Sequence, residues 1–259
     1  MYEKFSTHIG KYPVVIIAPD DIQLIIGGSE ERRKFIDTLI SQLDQEYLRN
    51  LIRYTKILQQ RNSFLRSFQD NFGRDLSVLD ILDEQLITAG NALFEKRREF
   101  LLEFLPQVKL MYNDICMRYE DIQLFYESEL HKQSLEDLLK HNRQKDLMLQ
   151  RTSGGLHKDD LIFHLGQQPF RNIASQGQRK SLLFALKLSE MDVIKKQKHF
   201  SPLLLLDDVF EKLDEERISN LLTRVTGDEE TQIFITDTNC QRLENKLKSL
   251  EKPFQVISI

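Results

Sequence analysis

The chain has 259 residues, of which 41% are hydrophobic and 29% are charged, and this composition excludes an intrinsically disordered protein. Its net charge of −4 gives no overall basic field of the kind that indicates nucleic-acid binding, and its apolar runs are too short to span a bilayer. The length suits one large domain or two lobes. The two cysteines, Cys116 and Cys240, have neither metal-binding nor redox spacing, so we expect a protein of the reducing cytoplasm.

The first third of the chain predicts one strand and two long helices. The β-branched run "YPVVII" at 12–17 is typical of a buried strand. Apolar residues then recur at steps of three and four from 30 to 70, which predicts a helix with one apolar stripe. A second such pattern covers 77–117, where Gly90 and Pro106 are candidate bends, and the two helices are predicted to form a helical lobe. Solvated helix faces are predicted for the basic runs at 32–34, 96–98 and 195–198.

After residue 119 short strands alternate with helices. Strands are predicted at 121–128, 159–165, 202–207, 231–236 and 254–259. Helices are predicted at 134–149, 177–197, 214–225 and 239–249. Alternation of strands with helices of this length predicts a largely parallel α/β sheet that helices cover on both faces.

The run "LLLLDD" ends in two aspartates, Asp207 and Asp208. Four leucines predict a strand buried on both faces, and ligands bind at the carboxyl ends of strands in open α/β sheets. One carboxylate there can hold Mg²⁺, and a second can orient a water molecule towards a γ-phosphate. The alternative is structural, because aspartate favours the turns that follow strands, and this run alone does not decide between the two.

The stretch "SQGQ" at 175–178 lies at the start of a predicted helix. Ser175 and Gln178 fit the capping box, in which each side chain bonds to the backbone N–H of the other residue. The same geometry leaves other N–H groups and the positive end of the helix dipole directed outwards, where an anion can bind. The structural and functional interpretations are compatible.

Taken together, these segments form an ordered set. A helix that begins "SQGQ", a strand that ends in Asp-Asp, the triplet "KLD" and a strand that ends "FITDT" resemble the heads of ATP-binding cassette (ABC) ATPases. The amino-acid sequences of five segments resemble those of the RecF family of recombination and repair proteins: "RRKFID", "YTKILQQRNSFL", "GGLHKDDL", "SQGQRKSLLFALKLSE" and "LLLLDDVFEKLD". The resemblance covers nearly the whole chain. It implies an α/β fold, an ABC-type ATPase head that is incomplete at the N-terminus and carries an inserted α-helical lobe.

The resemblance also implies domain bounds and residue roles. The end of the first part of the ATPase lobe is expected at 1–28, the helical insert at 29–118 and the remainder of the ATPase lobe at 119–259. In such families two heads enclose two ATP molecules, so Asp207 is implied to hold Mg²⁺ and Asp208 to polarise the attacking water. Further implied roles are contact with the γ-phosphate on the opposite subunit for Ser175, Gln176, Gly177 and Gln178, interface coupling in the D-loop for Asp214, and the switch position for Thr236.

One departure from the family pattern is large. No phosphate-binding loop of the form G-x-x-G-x-G-K-[ST] occurs, and neither 27–29 nor 154–155 replaces it. We therefore expect an N-terminally truncated chain, a fragment or half of a split gene, without appreciable ATPase activity by itself. Exposed sheet edges and apolar faces should make it prone to associate. For His157 and Lys158, in "GGLHKDDL", we expect a structural use.

Three functional hypotheses follow. The leading one is a RecF-like protein that binds double-stranded DNA near single-strand gaps when ATP closes a homodimer, and that helps to load a recombinase with other recombination mediator proteins. It would act in the cytoplasm at the nucleoid, without a membrane partner. The alternative is a non-catalytic module that donates the signature turn in trans or serves as a repair-complex scaffold. An SMC-like structural protein is a third hypothesis, which the short helical insert disfavours.

Overall fold

The computed structural model of the chain describes residues 9–68, 76–116, 119–208, 210, 213, 215–227, 230–238, 240–249 and 251–257. The strands are β1 Val14–Ile17, β2 Ile122–Glu127, β3 Asp160–Leu165, β4 Gln168–Pro169, β5 Leu203–Asp207 and β6 Ile233–Thr236. The helices are α1 Gln23–Ile26, α2 Ser29–Leu43, α3 Gln45–Phe68, α4 Ser77–Cys116, α5 Leu135–Leu149, α6 Phe170–Ile173, α7 Gln176–Lys198, α8 Glu215–Thr226 and α9 Cys240–Ser249. None of the helices in these ranges combines the length and apolar character needed to cross a membrane.

The chain divides into two compact units. The first comprises Met1–Gly10, Ser29–Glu103 and Phe125–Ile162, and the second comprises Lys11–Gly28, Phe104–Leu124 and Phe163–Ile259. These units are defined by their compactness and not by function. The predicted division into 1–28, 29–118 and 119–259 therefore stays a prediction.

The described part of 30–70, which ends at residue 68, forms two helices, where the apolar stripe predicted one. Asp44 Oδ1 accepts hydrogen bonds from the backbone N–H groups of Glu46 (2.8 Å) and Tyr47 (3.1 Å), which caps the start of α3. The N–H of Asp44 donates to the carbonyl of Ile40 (2.8 Å) at the end of α2. One aspartate thus ends one helix and begins the next. Because the apolar spacing continues through it, the stripe did not show the break.

Helix α4 confirms the second predicted helix and is continuous over 40 residues. Neither Gly90 nor Pro106 interrupts it. A Cβ added at Gly90 would lie 2.4 Å from Leu135 Cδ2 and 3.2 Å from Tyr54 Cε2, so this position lets neighbouring segments approach the helix closely.

The strands form two sheets of three strands each, where the alternation pattern predicted one. In the first sheet the strands lie in the order β1-β5-β6 and are all parallel. Val14 of β1 is opposite Leu203 of β5, and Asp207 of β5 is opposite Thr236 of β6. The order of the other sheet is β2-β3-β4, and its last two strands are antiparallel. A strand was also predicted at 254–259, but its described part, 254–257, forms none, and its apolar side chains are exposed.

In the described part of the chain, one face of the parallel sheet is buried and the other is partly exposed, which corrects two predictions. Val15 and Ile17 of β1 and Leu204 and Leu206 of β5 are buried, and α7 packs against β1. Alternate residues point to the opposite face. There Ile16 and Phe234 are each 49% exposed and Leu203 is 38% exposed. The leucine-rich strand is therefore not buried on both faces, and helices do not cover both faces of the sheet within the described part of the chain.

A buried arginine joins three helical and loop segments of the first unit. Arg97 of α4 donates to both oxygens of Asp37 (2.8 and 3.0 Å), to the carbonyl of Leu156 (3.1 Å) and to Asp159 Oδ2 (3.1 Å). Tyr126 donates to the same oxygen of Asp159 (2.5 Å). Arg97 was predicted to lie on a solvated face. It is buried because two carboxylates and a carbonyl satisfy its donors, as buried charges require.

A second buried arginine has the same function in another part of this unit. Arg61 is 0% exposed and donates to Asp83 (2.6 Å), Asp146 (2.7 Å) and Thr152 (2.8 Å), which come from α4, α5 and the loop after α5. The family-like segment "YTKILQQRNSFL" therefore contributes a charged residue to the interior of the lobe.

The segment "GGLHKDDL" is held by the same kind of contact. His157 Nδ1 lies 3.2 Å from the hydroxyl of Tyr54, and its Nε2 lies 3.1 Å from the carbonyl of Thr152. Burial lowers the pKa of His157 to about 4, so the ring is neutral near pH 7. Arg32 binds Asp160 through two hydrogen bonds of 2.6 and 2.9 Å. Lys158 is exposed. The contacts of His157 are structural.

Candidate functional site

Three of the predicted site residues meet where two parallel strands end. Asp207 is the last residue of β5, Thr236 is the last residue of β6, and the two are paired in register. The Thr236 hydroxyl donates to Asp207 Oδ1 (2.5 Å). The N–H of Asp208 donates to the carbonyl and to the hydroxyl oxygen of Thr236 (3.1 and 3.2 Å). One threonine therefore holds both members of the acidic pair.

The backbone of Asp208 has the left-handed conformation, with φ of +47°. A non-glycine residue in this region costs on the order of 1 kcal/mol and is found where the surroundings impose it, often at functional sites. Here the two hydrogen bonds from its N–H to Thr236 stabilise the conformation.

The predicted capping box at the start of α7 is confirmed. Ser175 Oγ accepts from the N–H of Gln178 (3.2 Å), and Gln178 Oε1 accepts from the N–H of Ser175 (2.8 Å). Ser175 and Gln176 are exposed. The N–H groups of Gln176 and Gly177 belong to the first helical turn, where no intrahelical acceptor exists. The tip of this helix therefore presents polar backbone groups at the surface of its unit.

The side chain of Gln178 has both ends engaged within the chain. Its Oε1 belongs to the capping box, and its Nε2 donates to Glu120 Oε2 (2.8 Å). Glu120 also accepts from the hydroxyl of Tyr112 (2.6 Å). In this conformation Gln178 shapes the turn, and the groups that can reach a ligand are those of Ser175, Gln176 and Gly177.

Two residues beneath this turn were missed in the sequence. Glu120 follows α4 in a segment without a recognisable pattern. Arg217 of α8 is 6% exposed and lies on the buried side of its helix with Ile218, Leu221 and Leu222. An arginine one helical turn before Leu221, on an apolar stripe, was the available signal. Asp214, the predicted D-loop residue, lies outside the described residues.

The carboxylate oxygens at the sheet edge are too few to hold a magnesium ion alone, but they fit one whose other ligands come from a nucleotide and water. In the described ranges no group of three or more His, Cys, Asp or Glu side chains is arranged to hold a metal ion. Mg²⁺ at nucleotide sites takes one or two carboxylates, and phosphate and water oxygens complete its shell. The exposed carboxylate of Asp207, oriented by Thr236, matches that requirement.

Comparison with solved structures identifies the fold. The chain superposes on the recombination mediator protein RecF of the RecFOR pathway, designated RecF-ATPrS, with a TM-score of 0.81 and 26% identity, over 92% of this chain and 66% of that one. A second structure, designated RecF-ATP, gives a TM-score of 0.78 and 28% identity over 90% and 64% of the two chains. This chain thus spans slightly less than two thirds of either protein. The predicted ABC-type head with a helical lobe is confirmed.

Sequence comparison gives the family. No family model matches the chain. It is 44% identical over 259 residues to the DNA replication and repair protein RecF of Phocaeicola vulgatus, and covers 69% of that protein. Its identity to the RecF protein of Flavobacterium johnsoniae is 45% over 258 residues, which represent 100% of this chain and 72% of that relative. The chain belongs to the RecF family of DNA replication and repair proteins.

Proposed function

We propose that this chain works in ATP-dependent DNA repair, with its signature turn 175–178 facing a nucleotide held by a second head. The observation that supports this most strongly is the hydrogen-bonded set of Asp207, Asp208 and Thr236 at the carboxyl ends of adjacent parallel strands. Ligands of open α/β sheets bind at such ends. The exposed, capped tip of α7 is a second anion-binding element.

Each site residue has a role that its chemistry can support. Asp207 would hold Mg²⁺, which when bound neutralises phosphate charge. Asp208 would accept a proton from, or orient, the attacking water, and Thr236 holds the carboxylate of Asp207 and the backbone of Asp208 in place. Ser175, Gln176 and Gly177 would donate hydrogen bonds to a γ-phosphate, and Gln178 would maintain their geometry. Asp214 would couple the two sites across a homodimer.

The partners follow from the same proposal. The relatives are named DNA replication and repair proteins, and the solved structures are described as recombination mediators. We extend this to the present chain: double-stranded DNA with single-strand gaps, a second copy through two shared ATP molecules, and other mediator proteins at the nucleoid. Because the net charge is −4, the DNA-binding surface has to come from local groups of the assembled dimer.

The 259 residues by themselves are expected to donate a signature turn rather than to turn over ATP. The sequence contains no G-x-x-G-x-G-K-[ST] loop, whose amides and lysine hold the β- and γ-phosphates. This observation favours the second candidate function, a non-catalytic donor in trans, for the isolated polypeptide. ATP hydrolysis by the purified chain that Asp208→Asn abolishes would contradict it.

The experiment is ATP-dependent association of this chain with Flavobacterium johnsoniae RecF, measured by sedimentation velocity. Gln176→Glu places a negative charge at the exposed helix tip and should weaken the association roughly tenfold, equivalent to about 1.4 kcal/mol. Since an acidic residue stabilises a helix N-terminus, the loss would not come from unfolding. Gln197→Glu, an exposed position at the other end of the same helix, is the control. Equal effects of the two variants, or no ATP dependence, would refute the proposal.

A further inference from the structure

The glycine of the signature turn faces the guanidinium of an arginine from another helix. A Cβ added at Gly177 would lie 2.9 Å from Arg217 Nη1 and 3.6 Å from its Cζ. The guanidinium of Arg217 therefore occupies the space that any other side chain would need. A larger side chain at position 177 would therefore have to displace this guanidinium.

Arg217 holds the turn at two further points. Its Nη1 donates to Ser181 Oγ (3.1 Å), one helical turn after Gly177 on α7. Its Nη2 lies 3.9 Å from Glu120 Oε1, and the other oxygen of Glu120 accepts from the side chain of Gln178. The side chains of Arg217 and Glu120 are only 7% and 10% exposed. A charge pair with so little solvent is weakly screened and geometrically restrictive.

Arg217 is also close in sequence to the D-loop. It is the third residue of α8, which begins at Glu215, directly after the Leu213-Asp214 pair. A planar guanidinium with fixed donors on the first turn of a helix leaves little freedom between that helix and its partners. The start of α8 and the start of α7 are therefore joined through one side chain.

We propose that Arg217 is a positioning residue that makes the signature turn and the helix after the D-loop move as one body. It sets the location of the N–H groups of Gln176 and Gly177 through its contacts with Gly177, Ser181 and Glu120. A displacement of α8 is then transmitted to the tip of α7. The inference rests on the proposed function, in which that tip faces a nucleotide.

The first test is hydrogen–deuterium exchange of the amides of 175–181 in the nucleotide-free chain. Arg217→Gln should accelerate this exchange roughly tenfold, because the turn loses its connection to α8. Arg217→Lys, which keeps the charge, should restore part of the protection. The control is Arg224→Gln. Arg224 is also on α8, and it forms an exposed ion pair with Asp192 of α7, so its replacement should change nothing at the turn. Unchanged exchange at 175–181, or a uniform rise over the whole chain, would overturn the inference.

The second test is a double-mutant cycle that does not depend on the first variant folding well. Gly177→Ala forces the guanidinium away and should lower the stability of the chain. In an Arg217→Ala background the space is free, so the same alanine should be tolerated. Additive effects in the two backgrounds would show that the contact has no energetic coupling and would refute the proposal.

The last measurement separates this inference from the proposed function. Arg217→Gln should weaken ATP-dependent association with the Flavobacterium johnsoniae protein roughly tenfold, while Arg217→Lys recovers part of it. A purely structural role would lower the melting temperature and leave the ATP dependence unchanged, which contradicts the inference. If the unmodified chain shows no ATP-dependent association, the proposed function fails, and the exchange experiment and the cycle still decide whether Arg217 positions the turn.

Discussion

Arg97 and Arg98 are adjacent on α4 and have the same side chain, but their surroundings differ completely. The side chain of Arg97 is 4% exposed and contacts two carboxylates, whereas that of Arg98 is 53% exposed and pairs with Glu95 on the same helix. Removing one member of a buried charge network leaves the others without a partner in a poorly solvated place. An exposed pair contributes little because water screens it.

We therefore expect Arg97→Met to lower the free energy of unfolding by about 3–5 kcal/mol, since the buried Asp159 and the half-buried Asp37 would lose their cation. Arg98→Met, the matched control one position later, should change it by less than about 1 kcal/mol. Urea titration followed by circular dichroism measures both values. Similar losses for the two variants would show that Arg97 gains nothing from its buried partners.

The buried His157 is expected to make the free energy of unfolding depend on pH, and the direction of its pKa shift fixes the sign of that dependence. Its pKa in the folded chain is about 4, below the ordinary histidine value of 6.5, because burial disfavours the charged ring. The unfolded chain therefore binds a proton first as the pH falls. The stabilising contribution of the neutral ring is complete above pH 6.5 and is lost as the pH falls from there to about 4.

His157→Gln should remove this dependence. The difference in unfolding free energy between wild type and variant is expected to change by about 3 kcal/mol between pH 7 and pH 4, in the direction that favours the variant at low pH. Other groups, such as Asp159, whose carboxyl pKa is raised by burial, cancel when the two proteins are compared. His141→Gln, the same replacement at an exposed position, is the matched control. Parallel profiles for wild type and His157→Gln would disprove the assignment.

Among the helices, α4 shows that tertiary contacts can outweigh helix propensity. Alanine favours a helix over glycine by about 1 kcal/mol, so Gly90 is unfavourable for α4 alone. An added Cβ would, however, meet Leu135, Tyr54 and Leu156, and all three are buried. These neighbours cannot move away without disturbing the packing of the lobe.

Gly90→Ala is therefore expected to destabilise the chain by about 1–2 kcal/mol despite the better propensity of alanine, because overpacking costs more than the gain. Gly28→Ala is the control, since nothing lies within 4 Å of an added Cβ there. Thermal and urea unfolding of both variants measure the effect. A stabilised Gly90→Ala protein would mean that the helices separate easily at this point.

At the scale of the whole molecule, the uncovered face of the parallel sheet is the main feature. Ile16, Leu203 and Phe234 lie on the same side of neighbouring strands and are between 38% and 49% exposed. Contiguous apolar surface of this kind promotes association in water. The sequence predicted exposed apolar faces for this chain, and the sheet has one.

We expect the purified chain to self-associate through this face. Phe234→Lys should raise the dissociation constant roughly tenfold, because it places a charge on the apolar surface. Tyr119→Lys, at a residue that is 76% exposed and outside the sheet, serves as the control. Sedimentation velocity at several concentrations measures both. Identical behaviour of the two variants would locate self-association elsewhere.

Local signals in the sequence predicted much of the fold. Ser175 and Gln178 indicated the start of α7, apolar spacing indicated α4, and β-branched or leucine-rich runs indicated β1 and β5. They did so because capping and periodicity depend on residues that are near one another in the chain. The break at Asp44 was missed because the apolar spacing passes through it unchanged.

The candidate site was predicted in its polar groups but not in its supports. Asp207 and Thr236 are the last residues of predicted strands, Asp208 follows one, and parallel strands place such residues at one edge. Glu120 and Arg217 could not be found in this way, since each gains its importance from contacts with distant segments.

The sequence by itself therefore determined the order and type of most elements, the family of the chain and the polar residues at the strand ends, because all of these depend on short stretches of residues. Only the tertiary structure decided which arginines are buried, which sheet face is exposed and which side chain lies next to Gly177. The physical reason is that burial and close packing depend on atoms from segments far apart in the chain, and no local pattern specifies which segments will meet.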